Sequence, residues 1–96
     1  MGSSGSKQNQ KKTEIKDLSH QILGNEGIQK LKFNYNIVEL NLYDNNISDI
    51  KVLEKVKFNK LEILNLESNN ISNNINILEN VDFKNLKELL LSSNDI

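Results

Sequence analysis

One histidine and a column of repeated asparagines carry most of the side-chain chemistry open to this chain. His20 follows Asp17 by three positions. One imidazole beside one carboxylate is too small a set for a metal site or an acid–base pair, so His20 reads as solvated surface. The serines have no histidine–aspartate pair to activate them, and no glycine-rich loop could cradle a phosphate. Cysteine is absent, which removes disulfides and thiolate metal sites. No catalytic, cofactor-binding or metal-binding set is expected, and no enzymatic activity. What remains are Asn45, Asn69 and Asn94, 24 and then 25 residues apart. A carboxamide both donates and accepts, so a column of them can satisfy backbone groups in stacked buried turns. The sequons Asn46-Ile-Ser48 and Asn70-Ile-Ser72 keep the same 24-residue interval and read as part of the repeat, not as glycosylation sites.

The asparagines belong to a phrase of eleven residues written three times. Its copies are Ile37, Leu40, Leu42, Asn45, Ile47; then Leu61, Leu64, Leu66, Asn69, Ile71; then Leu86, Leu89, Leu91, Asn94, Ile96. A period of this length means stacked supersecondary units, each burying its apolar side on the next. Places four and six of the phrase alternate with outward residues, which is strand periodicity. Copies that run in one direction with a return segment between them pair in parallel. The return segments repeat as well: Ile28, Leu31, Phe33; Leu53, Val56, Phe58; Leu78, Val81, Phe83. The three phenylalanines predict a stacked column in the core. Ser48 or Asp49 is placed to cap a short helical turn over about residues 50–57, and a second turn is expected over 76–82.

The spacing L-x-x-L-x-L-x-x-N-x-I resembles the leucine-rich repeat family, over roughly residues 28–96. The resemblance implies an α/β solenoid with a short parallel sheet on the concave face and short helical turns on the convex face. It also implies an asparagine ladder formed by Asn45, Asn69 and Asn94, and a concave face that binds partner proteins.

Residues 1–12 form a polar lead, of which Met-Gly-Ser-Ser-Gly-Ser looks like cloning-derived sequence. Ile15, Leu18, Ile22 and Leu23 fall at helical spacing, with Thr13 before them and Gly24 after. This predicts an N-terminal capping helix from Thr13 to Leu23, inside a cap and turn of residues 13–27. Residues 28–96 then hold two complete repeats and the strand phrase of a third. With the phrase ending at Ile96 and no return segment after it, the last strand is expected to be an open edge. That predicts either a fragment of a longer array or an edge that pairs with a second copy.

Net charge is −1, arginine is absent, and the lysines are interspersed with acids. A nucleic-acid surface is therefore not expected, since bidentate base or phosphate recognition has no candidate. No apolar run reaches transmembrane length and no signal peptide is evident, so no membrane contact is expected. The missing cysteines favour a cytoplasmic location.

Function is then expected on the places that the repeat leaves free. Outward places three, five, seven and eight give the columns Glu39, Ile63, Glu88; Asn41, Asn65, Leu90; Tyr43, Glu67, Ser92; and Asp44, Ser68, Ser93. The expected partner-binding residues are Glu39, Asn41, Tyr43, Asp44, Ile63, Asn65, Glu67, Glu88 and Leu90, an acidic trough with apolar contacts. It suits a protein that presents basic residues around an apolar one. Three strands would make this trough about 10 Å across. The alternatives are self-association through the open edge, or service as the regulatory arm of a larger enzyme.

Overall fold

The computed structural model describes residues 13–31, 36–55, 58–72, 76, 78, 79, 81 and 83–95. Phe33, Val56 and Ile96 of the expected core lie outside the described residues, as do parts of both expected convex turns and the whole polar lead.

Among the described residues four parallel strands form one sheet in chain order: β1 (Glu14–Asp17), β2 (Ile37–Asn41), β3 (Ile63–Asn65) and β4 (Glu88–Leu90). An α-helix, α1 (Gly24–Lys30), follows β1, and a 3-10 turn (Lys51–Lys55) follows β2. This is an α/β architecture with little helix. The strands are short because the apolar places alternate for only two pairs before the phrase turns. The register stacks like places: Glu39, Ile63 and Glu88 face one another in turn, as do Leu40, Leu64 and Leu89.

The inward places build the core. Ile37, Leu40, Leu42 and Ile47 are buried, as are Leu61, Leu64, Leu66 and Ile71. The return segments close the other side with Ile28, Ile50, Leu53 and Phe58. The Phe58 and Phe83 rings lie 6.1 Å apart, tilted by 34°. Asp49 accepts a hydrogen bond from the Lys51 amide at 2.9 Å, capping the 3-10 turn. On the return after β3, Asn76, Leu78 and Glu79 take 3-10 conformations.

The N-terminal expectation is overturned. Residues 13–23 do not form a capping helix: Glu14–Asp17 is strand β1, paired in parallel with β2, and the helix begins at Gly24. Gly24 does take a left-handed φ of 62°, but it opens a helix instead of ending one. The physical reason is that pairing with β2 satisfies the backbone of residues 14–18, which an isolated helix of this length could not rival. Ile15 and Ile22, expected on the buried helical face, are exposed, while Leu18 and Leu23 pack against the core. Strand β1 and the turn after it thus form a degenerate unit of the same kind. Leu18 and Leu23 stand 24 residues before Leu42 and Ile47.

Both edges of the sheet are open among the described residues, and they differ. On β1 the inward place opposite Leu40 is Lys16, half-buried. An inward charge is a recognised guard against edge pairing. At the β4 edge the inward places are Leu89 on the strand and Leu86 and Leu91 flanking it, each only half-buried.

Candidate functional site

The asparagine columns split into two roles according to which way the strand points them. At place nine, Asn69 is 6 % exposed and turned into the coil. Its Oδ1 accepts from the amides of Asn45 and Ile47, both at 3.0 Å. Its Nδ2 donates to the carbonyls of Leu42 and Leu66, both at 3.0 Å. Asn45 does the same for the coil before it, accepting from Gln21 and Leu23 and donating to Leu18. Asn94 accepts from Ile71 at 2.9 Å and donates to Leu66. Every member therefore serves the turn of the preceding coil, and each is a structural residue by its partners.

At place five the side chains lie on the outward face, yet Asn41 and Asn65 are partly engaged. Asn41 Oδ1 accepts from the Tyr43 amide at 3.0 Å, and Asn65 Oδ1 from the Glu67 amide at 2.9 Å. Asp17 fills this place on β1 and accepts from the Ser19 amide and hydroxyl. Those bonds, the backbone one first, hold the Asp17 carboxyl below the usual aspartate range. Leu90 ends the row and has no such acceptor, so β4 presents an apolar group where its neighbours present a turn-binding one.

Places seven and eight lie past the strand ends, not on the strands as expected from the sequence. His20, Asp44, Ser68 and Ser93 all have positive φ, near 60°, which turns the chain off the sheet. They form a rim. There His20 Nδ1 lies 2.7 Å from Asp44 Oδ2, and its ring meets Tyr43 edge-on at 5.1 Å. His20 thus pairs across coils with Asp44. Its sequence neighbour Asp17 is engaged with Ser19. Ser92 donates to Glu67 along the same rim.

Only places three and five pave the sheet. Place three reads Ile15, Glu39, Ile63, Glu88 across the four strands. Place five reads Asp17, Asn41, Asn65, Leu90. Ile15, Asp17, Glu39, Ile63 and Leu90 line a shallow trough of about 360 Å³. Four strands make the face about 14 Å across, wider than three would. Ile15, Asp17 and His20 were not legible as site residues. The signal that points to them is the 24-residue interval from Leu18 to Leu42.

Among the described residues, no group of His, Cys, Asp or Glu is arranged to hold a metal ion. No described helix is long and apolar enough to cross a membrane. No protein-family model, curated protein or solved structure matches the chain.

Proposed function

We propose that the chain is a leucine-rich repeat solenoid acting as a non-enzymatic protein-interaction module, and that its partner protein is bound by the outward face of the sheet. The observation that carries this reading is Ile15, 69 % exposed, on the same face as half-buried Ile63 and Leu90. The water-facing side of a sheet ordinarily carries polar residues. Three aliphatic groups among Asp17, Glu39 and Glu88 fit a protein that brings basic residues around an apolar contact. Tyr43 at the rim adds a rigid anchor with a hydroxyl. The repeat itself is supported by the stacked leucine places and by the asparagines that bridge successive turns. A chain without cysteine suits the reducing cytoplasm, and its partner is neither nucleic acid nor membrane.

The test is affinity capture from a native lysate with three forms of the chain. One is the parent, the second carries Tyr43→Ala, Glu67→Ala and Leu90→Ala, and the third carries Gln29→Ala, Lys51→Ala and Lys55→Ala on the opposite side. A protein retained by the parent and the third form but lost by the second supports the proposal. Retention by the second form and loss by the third would move the site to the convex side.

A second reading has its own support at β4. Leu61, Leu64 and Leu66, on and beside β3, are fully enclosed, whereas Leu86, Leu89 and Leu91, on and beside β4, are half-buried. An edge of this kind pairs with another chain, and a second copy would give a homo-oligomer. Sedimentation over a range of concentrations checks it, with a constant monomer mass counting against it.

A further inference from the structure

The order of residues along place three selects the shape of the partner. Across the sheet the row alternates aliphatic and acidic: Ile15, Glu39, Ile63, Glu88, in Cα register from strand to strand. Adjacent strands are about 4.8 Å apart, so the row spans about 14 Å. A partner that matches all four places needs four side chains on one face at that pitch. In an α-helix the positions i, i+3, i+7 and i+10 share one stripe and span about 15 Å. In an extended segment four same-face residues span about 20 Å, so a strand falls out of step before the fourth place.

Charge decides what the helix carries. Glu39 and Glu88 stand at the two acidic places, and Asp17 lies beside Ile15 in the next row. The nearby cation Lys87 is 3.7 Å from Glu62, and His20 at the rim is beside Asp44. The face therefore presents carboxylates separated by aliphatic groups, with Leu90 adding one more apolar contact at the β4 end.

We infer that the partner lays an amphipathic α-helix across the strands, with aliphatic residues at i and i+7 over Ile15 and Ile63 and basic residues at i+3 and i+10 over Glu39 and Glu88. This rests on the outward face being the binding face, as proposed above. The helix seats its aliphatic side chains in the trough and its basic side chains on the carboxylates. Such an arrangement discriminates by order as well as by composition, because a misplaced lysine would meet an isoleucine.

The experiment uses the full chain and stapled alanine-based helices of about 15 residues, long enough to hold four successive stripe positions. The first peptide carries leucine at i and i+7 and lysine at i+3 and i+10. The second has the same composition with both leucines before both lysines. The third is an extended, proline-punctuated peptide that alternates leucine and lysine. Binding is read from amide shifts of residues 14–17, 37–41, 63–65 and 88–90 at low salt. The alternating helix is expected to bind about tenfold more tightly than the segregated one. Glu39→Lys with Glu88→Lys should abolish that preference, and a peptide with glutamate in place of lysine should regain it. Equal binding by the two helices, tighter binding by the extended peptide, or no binding by any of them would overturn the inference. The capture experiment fails separately. Loss of a native partner from the outward-face variant, with no preference among the peptides, leaves the binding face standing and removes the helix.

Discussion

Asn69 shows how a single side chain holds two coils. It bridges five backbone groups of two successive turns from a nearly dry position. Asn69→Ala strands those groups, and urea unfolding is expected to show a loss of about 1–3 kcal/mol. Glu39→Ala, on the outward face, is expected to change stability by less than about 0.5 kcal/mol. Ile22 makes the opposite case. A β-branched residue at φ 52°, 80 % exposed, has strain without compensating burial. Ile22→Asn keeps the turn in a conformation that asparagine tolerates, and should raise stability by up to about 1 kcal/mol in the same assay. Asp17 adds a dependence on pH. Because its carboxyl is held below the ordinary value, its contribution is present above that value and is lost as pH falls through the folded-state one. Carbon-detected titration should find its midpoint below that of an unperturbed aspartate. Ser19→Ala should raise that midpoint only in part, since the larger lowering influence, the Ser19 amide, survives.

Among the elements, β2 and β3 are legible because leucines at places four and six fix period, face and register together. The cap of the 3-10 turn is legible to within one position: Ser48 and Asp49 follow the phrase that ends at Ile47, and Asp49 is the one that accepts from the Lys51 amide. β1 is not. Lys16 stands where the phrase wants leucine and Gln21 where it wants asparagine, so only Leu18 and Leu23 keep the frame. Those two, with Ile15 and Ile22, also satisfy a helical stripe, and local pattern cannot rank the two solutions. The β2 edge decides, since it offers a ready partner for every amide that a strand exposes. A quarter of the outward face, Ile15 and Asp17, was hidden along with β1. Places seven and eight fail for another reason: alternation along a strand says nothing about where the strand stops, and the left-handed turn residues end it after place five. Lys16 makes an element-scale prediction. Lys16→Leu completes the inward row on the exposed edge, and sedimentation should show more self-association than in the parent.

Across the described residues the coupling runs between neighbouring strands and their turns. It also has a direction. The amides of Gln21 and Leu23 are served by Asn45, those of Asn45 and Ile47 by Asn69, and that of Ile71 by Asn94. Hydrogen exchange should read this one coil upstream of each substitution. Asn45→Ala should speed exchange at Gln21 and Leu23 before it affects Asn70, and Asn94→Ala should speed it at Ile71.

The same direction sets an order in time. Synthesis proceeds from the N-terminus, so each turn leaves the ribosome before the asparagine that closes it. Gln21 waits for Asn45, 24 residues behind. At about 5–20 residues per second the wait is about 1–5 s. During that interval the youngest coil has its leucines but not its latch, and each arriving strand locks the coil made before it.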